Sequence, residues 1–139
     1  MREKLEKLIV NSYAPYSNVH FACIVETESG NFYSGVNVEN ASYGGTICAE
    51  RNAINTAIAN GDSSFKALYL MTDKENICYP CHICKQTFLE FFDEKVIFNL
   101  MTLNGKMEVL TYDELMNRKF SREDLEWKVD LLALLVGQM

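Results

Sequence analysis

The fold is decided by a stretch that runs TICAERNAINTAIANGDSSFKALYLM over residues 46–71. Apolar residues recur at helical spacing over residues 46–60, and Gly61 followed by Asp62 supplies a stop signal for that helix. The apolar run that follows, residues 67–71, has the length of a buried strand. The stretch therefore predicts a helix followed directly by a strand, which is the repeating unit of α/β folds.

The alternation of helices and strands continues on both sides of this stretch. The other elements predicted from the sequence are, in chain order, a helix at 3–12 closed off by Pro15, strands at 19–28 and 31–39, a helix at 81–92, strands at 96–100 and 107–109, and helix starts at Thr111 and Ser121. Asn104-Gly105 is a strong hairpin signal between the last two strands. The order is α-β-β-α-β-α-β-β-α, which predicts a three-layer α/β/α domain with a partly parallel sheet.

Composition limits the class of protein. With 139 residues, of which 48% are apolar, the chain is expected to form one domain over residues 1–139. Its 13 basic and 19 acidic residues leave a net charge of -6, whereas proteins that bind polynucleotides usually present a basic surface. No apolar run approaches the roughly 20 residues of a membrane span, and the charged N-terminus does not resemble a secretory signal. We therefore expect a cytoplasmic protein that binds neither membranes nor polynucleotides.

The five cysteines indicate metal chemistry. Their number is odd, and three of them form a Cys-x-x-Cys-x-x-Cys run that ends with Cys81 and Cys84. Cys48 and Cys81 each stand at the start of a predicted helix, and in a β-α-β-α arrangement such helix N-termini can converge at one end of the sheet. There the backbone N–H groups and the helix dipole favour thiolates. Three thiolates suit Zn²⁺ and leave its fourth position open, which is the catalytic pattern.

Two charged residues next to Cys48 extend this prediction. Glu50 lies on the same helix face as Ile54 and Ala57, the face expected to pack against the domain. A carboxylate on that face is costly unless a metal-bound water, a substrate or a cation partners it. Arg51 could donate hydrogen bonds to the ligand thiolates and offset the negative charge of a zinc centre with three thiolates.

These residues carry a resemblance to a known family. Cys48-Ala49-Glu50 followed by Pro80-Cys81-x-x-Cys84 resembles the zinc-dependent nucleoside deaminases. Further segments are similar to the cytidine deaminase branch and occur in its order over roughly residues 13–125. They are Pro15-Tyr16-Ser17, the string from Asn37 to Gly44, Lys85-Gln86, Asn104-Gly105, Thr111-x-x-Glu114-Leu115 and Phe120.

The resemblance implies a fold, a reaction and a set of site residues. It implies a homotetramer built on a five-stranded mixed sheet and an enzyme of pyrimidine salvage. Water activated by Zn²⁺ would attack C4 of cytosine in cytidine or deoxycytidine, ammonia would leave, and Glu50 would move the protons. The residues implied to hold zinc or substrate are Cys48, Cys81 and Cys84 for the metal, Asn37 and Glu39 for the ribose hydroxyls, the ring of Tyr43 and the backbone of Ala49 for the pocket, and Phe120, which relatives insert from a neighbouring subunit.

Several positions depart from the family's usual pattern. Val19 stands where relatives usually carry Phe, Ala22 and His82 where they carry Gly, and Lys85 where Arg is more usual. We hypothesise that His82 narrows the mouth of the pocket or changes its polarity. These departures keep two alternatives open: a deaminase of a modified cytosine nucleoside such as blasticidin S, and a catalytically inactive, zinc-containing protein that binds nucleosides.

Two further features have open interpretations. If Cys78 joined the other three cysteines, the metal site would be closed and noncatalytic, although Pro80 separates Cys78 from the predicted helix. The segment from Leu125 to Val136 is apolar on more than one face, so its own domain or another subunit must cover it. We predict a subunit interface at this segment.

Overall fold

The structure is a computed structural model that describes residues 1–121 and residue 124. Its helices and strands are, in chain order, α1 (Arg2–Ile9), β1 (Phe21–Thr27), β2 (Phe32–Val36), α2 (Ala49–Ala59), β3 (Phe65–Thr72), α3 (His82–Phe91), β4 (Ile97–Thr102), β5 (Met107–Leu110) and α4 (Tyr112–Met116), with a short 3-10 helix at Tyr43–Gly45 before α2. None of the helices within the described residues has the length and hydropathy needed to cross a membrane.

The five strands form one mixed sheet in the order β2-β1-β3-β4-β5. Strand β1 is antiparallel to both β2 and β3, β3 is parallel to β4, and β5 returns antiparallel to β4. The single parallel pair requires a crossover, which α3 provides. Strands β2 and β3 run in the same direction because both are antiparallel to β1. Their C-terminal ends therefore lie at the same edge of the sheet, where α2 and α3 begin.

The sheet divides the apolar residues into two cores because successive side chains of a strand point to opposite faces. In β1, Cys23 and Val25 pack with α2, α3 and α4, whereas Ala22 and Ile24 pack with α1. The larger core contains a cluster of four phenylalanine rings, among which Phe88 and Phe92 are stacked with centroids 4.9 Å apart. Helices on both faces of a five-stranded sheet confirm the predicted three-layer architecture.

The structure also corrects one helix boundary. Helix α1 ends at Ile9, several residues before Pro15, so proline does not terminate it. Instead, the chain turns at Asn11 and Ser12, whose backbone N–H groups donate to the carbonyl oxygens of Leu8 and Ile9. The predicted turn at Asn104-Gly105 is present, with Gly105 at a φ of 108°.

The predicted capping box at the start of α4 is also present. Thr111 Oγ1 accepts a hydrogen bond from the backbone N–H of Glu114, and the Glu114 carboxylate accepts one from the N–H of Thr111. At the second predicted helix start, Asp124 accepts a hydrogen bond from the N–H of Ser121. The predicted apolar segment from Leu125 to Val136 lies outside the described residues.

Gly35 determines how closely β2 approaches α2. A Cβ at this position would lie 2.4 Å from the backbone nitrogen of Ala53 and 2.5 Å from the carbonyl oxygen of Ala49. Only glycine permits this separation between strand and helix backbones. The first two turns of α2, which include Glu50, are therefore seated directly on the edge strand.

Candidate active site

Three cysteine side chains meet where α2 and α3 begin. Cys48 is the N-cap residue of α2, Cys81 is the N-cap residue of α3, and Cys84 lies in the first turn of α3. Their sulfur atoms all lie within 4.8 Å of one another, and the Sγ atoms of Cys48 and Cys81 are 3.7 Å apart. Tetrahedral Zn²⁺ with Zn–S bonds of about 2.3 Å holds its sulfur ligands about 3.8 Å apart. The cluster therefore fits Zn²⁺, as the sequence predicts.

The electrostatics of the three thiols also favour a divalent cation. The pKa of Cys81 lies well below its usual value, mainly because the thiols of Cys48 and Cys84 stabilise its thiolate by hydrogen bonding. The pKa of Cys48 is raised to about 12, chiefly by its hydrogen bond to Cys81, and that of Cys84 is also raised, chiefly by Cys48. Taken by themselves, the thiols thus support one thiolate, whereas a divalent cation would offset the repulsion among three.

Glu50 lies beside this cluster and is buried. The sequence predicts this burial, because Glu50 shares a helix face with Ile54 and Ala57. Its side chain is 4% exposed, and its Oε2 accepts a hydrogen bond from the Cys84 thiol at 3.7 Å. Burial raises the pKa of Glu50 to about 7. The carboxyl group can therefore both accept and release a proton near neutral pH, which is what proton-transfer catalysis requires.

Arg51 makes the contact with the cluster that the sequence suggests. Its Nη2 donates to Cys48 Sγ at 3.4 Å and to the carbonyl oxygen of Thr46, also at 3.4 Å. A guanidinium on a ligand sulfur lowers the net negative charge of the site and fixes the orientation of the Cys48 side chain.

A cavity of about 200 Å³ opens onto the cluster. The residues that line it are Ser17, Val19, Phe21, Asn37, Glu39, Thr46, Cys48, Glu50, Tyr79, Cys81 and Phe120. The cavity thus combines the buried carboxyl group of Glu50, two thiols of the cluster, and the carboxamide and carboxylate of Asn37 and Glu39 with aromatic walls. Apolar and aromatic walls with a few convergent polar groups are typical of a small-molecule site.

Asn37 and Glu39 also hold the loop that forms one wall of the cavity. The Asn37 side chain donates to the carbonyl oxygen of Val19 and accepts from the N–H of Phe21, each at 2.9 Å. Glu39 Oε1 accepts from the N–H groups of Tyr16 and Ser17, each at 3.0 Å, and Oε2 accepts from the Ser17 hydroxyl. The sequence predicts these two residues as ribose ligands and gives no sign of this bracing role.

Of the three remaining residues predicted to contact substrate, only one lines the cavity. Ala49 is fully buried at the start of α2, and Tyr43 is 75% exposed, with its ring edge-on to Tyr16; neither is among the residues that line the cavity. Phe120 lines the cavity of its own chain, whereas the resemblance implies insertion into that of a neighbouring subunit.

The structure also bears on the hypothesis about His82 and on the closed-site interpretation of Cys78. His82 is exposed and is not among the residues that line the cavity, and His20 pairs with Asp73 at 2.7 Å. Cys78 is buried outside the three-cysteine group, and its thiol donates to the carbonyl oxygen of Asn76.

Four lining residues were not predicted as site residues from the sequence: Ser17, Phe21, Thr46 and Tyr79. Thr46 and Tyr79 each precede a metal-ligand cysteine by two residues, a proximity that could have identified them. Phe21 begins β1, and only the pairing of β1 in the sheet brings it beside the cavity.

Comparisons with known proteins agree with this geometry. Residues 1–100 match the family model for the cytidine and deoxycytidylate deaminase zinc-binding region. A cytidine deaminase of Sporosarcina psychrophila is 37% identical over 133 residues, which cover 91% of this chain and 98% of that protein. The crystal structure of cytidine deaminase from Burkholderia pseudomallei superposes with a TM-score of 0.77 at 32% identity, over 85% of this chain and 94% of the other. The chain belongs to the cytidine deaminase family.

A more distant relative bears on one alternative. A blasticidin-S deaminase of Bacillus cereus is 27% identical over 111 residues, which cover 74% of this chain and 78% of that protein. Its identity is lower, and its coverage smaller, than that of the cytidine deaminase of Sporosarcina psychrophila, so the comparison does not outweigh the main interpretation.

Proposed function

We propose that the protein is a zinc-dependent cytidine deaminase that converts cytidine or deoxycytidine to the corresponding uracil nucleoside and releases ammonia. The observation that carries this proposal is the buried Glu50 carboxyl group next to three clustered thiols in a cavity with aromatic walls. A closed structural zinc site would need a fourth ligand and would have no use for a buried carboxyl group at this position.

The residues would divide the reaction among them. Cys48, Cys81 and Cys84 would hold Zn²⁺, which when bound lowers the pKa of water toward neutrality and so supplies the nucleophile. Glu50 would take one proton from the attacking water and deliver it to N3 of the cytosine ring. It would then take the second proton, from the new hydroxyl group at C4, and pass it to the amine, which leaves as ammonia while the C4 carbonyl forms. Its raised pKa suits this exchange, because a group that titrates near neutrality both gains and loses protons readily.

The other predicted site residues would orient the nucleoside. Asn37 and Glu39 line the cavity and would accept or donate hydrogen bonds at the ribose hydroxyls, with Ser17 exchanging its bond to Glu39 when substrate enters. The resemblance also assigns the backbone of Ala49 and the ring of Tyr43 to the pocket, although neither lines the cavity of the single chain. Arg51 would support the Cys48 thiolate through its hydrogen bond to Sγ.

The test is the loss of ultraviolet absorbance that accompanies conversion of a cytosine to a uracil ring. We expect purified, zinc-loaded protein to deaminate cytidine and deoxycytidine. Glu50→Gln should abolish turnover while zinc content stays near one per chain, because the substitution removes the proton carrier and leaves the thiols. Glu90→Gln, the same change at an exposed position of α3, is the matched control and should retain activity.

The alternatives predict other outcomes in the same assay. Turnover of a modified cytosine nucleoside such as blasticidin S, without turnover of cytidine or deoxycytidine, would establish the first alternative. Binding of nucleosides without turnover of any of them would establish the inactive binding protein. Full activity of the Glu50→Gln variant would contradict the mechanism.

We propose further that residues 1–139 form a single domain and that the enzyme works as a homotetramer in cytoplasmic pyrimidine salvage. Support for the assembly comes from the resemblance and from the apolar sequence of residues 125–136. Sedimentation velocity at micromolar concentration tests the assembly, since a monodisperse monomer would contradict it.

A further inference from the structure

A second cavity, which we call the basic groove, lies on the α1 face of the sheet, opposite to the helices that carry the thiol cluster. It is an open groove of about 440 Å³ between α1 and the edge strand β2. Four of its lining residues come from α1 and the turn that follows it, two from β2 and one, the buried Ile24, from β1. None of them lines the active-site cavity, so the two sites share no side chain.

The α1 side of the basic groove is positively charged, although the chain as a whole is acidic. Lys4 and Lys7 are three positions apart on α1, which makes them neighbours on one face of the helix. Neither lysine belongs to an ion pair in the described part of the chain, despite a total of 19 acidic against 13 basic residues. Both ammonium groups can therefore approach a single anionic group of a ligand.

The β2 side of the basic groove presents an aromatic ring. Phe32 is 46% exposed, and Lys4 Nζ lies over its ring, 5.3 Å from the centre. The face of the ring is thus turned toward the lysines. Because a cation–π contact at an exposed site is weaker than the stacking of a base on an aromatic side chain, a base can displace Lys4 from the ring. Lys4 is then released to contact the anionic group.

The rest of the lining suits an organic ligand with hydroxyl groups. The carboxamide of Asn11 and the hydroxyl of Ser34 line the groove, and neither forms a hydrogen bond with another side chain or with the backbone in residues 1–121 and 124. Leu8 and Ile24 add apolar surface. An apolar lining with an aromatic ring and a few polar groups is typical of small-molecule sites.

We propose that the basic groove is a binding site for a nucleoside monophosphate, separate from the active site. The phosphate group lies between Lys4 and Lys7, the base stacks on Phe32, and the ribose hydroxyls meet Asn11 and Ser34. Near neutral pH a phosphate ester carries close to two negative charges, which two ammonium groups match. The inference does not depend on the proposed function, because binding is measured without turnover.

The first test measures binding of uridine 5′-monophosphate (UMP) to the zinc-loaded protein by isothermal titration calorimetry at low salt. We expect saturable binding of one UMP per chain. The affinity should fall as salt is added, because the charges of the groove are exposed and therefore screened. Absence of saturable binding at millimolar UMP would overturn the proposal.

Charge reversal tests the two lysines. Lys4→Glu and Lys7→Glu should each weaken binding of UMP about 5-fold or more, since each replaces an attraction for phosphate by a repulsion. Lys95→Glu is the matched control: it makes the same change of charge at an exposed lysine outside the groove and should keep the wild-type affinity. Equal effects of all three substitutions would show that only the overall charge matters and would overturn the site.

A second pair of variants tests the ring. Phe32→Ala should weaken binding of UMP by about 5- to 150-fold, the range for loss of one base–aromatic stacking contact. Phe32→Tyr keeps the flat ring at the same exposed position of β2 and should keep the affinity. Unfolding in urea checks that both variants are folded. Unchanged affinity in Phe32→Ala, or equal weakening in both variants, would contradict stacking on Phe32.

Two further measurements distinguish the basic groove from the active-site cavity and from a simple anion site. Tyr79→Ala changes a wall of the cavity and should leave the affinity for UMP unchanged; weakening in this variant but not in Lys4→Glu would place UMP in the cavity and overturn the proposal. Inorganic phosphate lacks a base and should displace UMP only at a higher concentration than UMP itself requires. Displacement at equal concentrations would show that the groove binds phosphate alone and would overturn its assignment to a nucleotide.

Discussion

Replacing Gly35 by alanine should damage the active site from a distance, because the new methyl group would strike the backbone of α2. The added Cβ would lie 2.4 Å from Ala53 N and 2.5 Å from Ala49 O, whereas ordinary van der Waals contact begins at 3.4 Å. Strand and helix must therefore separate by about 1 Å. The obstacle is backbone on the helix side, so a change of side-chain rotamer cannot relieve it.

This displacement has two expected consequences of different size. Overpacking of a well-packed core costs about 1 to 3 kcal/mol of the free energy of unfolding. A shift of about 1 Å in Glu50 relative to the Cys81 and Cys84 thiols on α3 is expected to lower kcat/KM by about 100-fold, since catalytic groups tolerate little misplacement. Activity should thus fall by more than the loss of folded protein accounts for.

The assay compares urea unfolding, zinc content and cytidine turnover in wild type, Gly35→Ala and Gly44→Ala. Gly44 is a suitable control for stability because a Cβ there would meet nothing within 4 Å. We expect Gly44→Ala to unfold near the wild-type urea concentration. Wild-type stability together with wild-type kcat/KM in Gly35→Ala would refute the reasoning.

Four other substitutions, in three experiments, have outcomes that the structure determines. Arg51→Gln removes the donor to Cys48 Sγ and should lower the affinity for zinc by about 10- to 100-fold, measured by competition with a chelator; an unchanged affinity would show that the contact is incidental. Cys78→Ala should keep near one zinc per chain and Cys81→Ala should lose it, since Cys78 lies outside the thiol cluster; loss of zinc in both would restore the closed four-cysteine site. Hydrogen bonds from Ser29 and then Thr27 lower the pKa of Asp62 below its ordinary 3.8, so the ionised group stabilises the fold above that pH and this contribution is lost as pH falls through the lowered pKa. The wild-type advantage over Asp62→Asn in urea midpoint should accordingly shrink as pH falls from 5 toward 3, and an advantage that grows would contradict the sign.

The sequence predicted best the features that depend only on residues close together in the chain. Helical and strand periodicity located the elements within a few residues, and the Thr111 capping box and the Asn104-Gly105 turn were predicted from short-range signals alone. The boundary of α1 was wrong because proline only forbids a helix and does not determine where an earlier turn ends it.

In the candidate site, too, short-range patterns were sufficient to predict some residues and not others. The cysteine spacing and the place of Glu50 on its helix predicted a zinc cluster with a buried carboxylate. The spacing of Cys81 and Cys84 and the helix face of Glu50 are set by separations of a few residues, and Cys48 was added because the two helix starts were expected to converge. The place of Phe21 beside the cavity could not be predicted in this way, because it depends on which strands are neighbours in the sheet. The orientation of the Tyr79 ring likewise depends on a hydrogen bond to Glu108, which is 29 positions away.

By itself, then, the sequence determined the order of the elements, the cysteines of the cluster and the place of Glu50 on the buried face of its helix, which follow from periodicity and motif spacing. Only the tertiary structure decided that Gly35 sets the depth of α2 and that Asn37 braces the loop at Val19. It also decided that Phe21 and Phe120 are among the residues that line the cavity. The physical reason is that each of these depends on the packing of segments distant in sequence, where shape and separation, rather than residue type, determine which atoms meet.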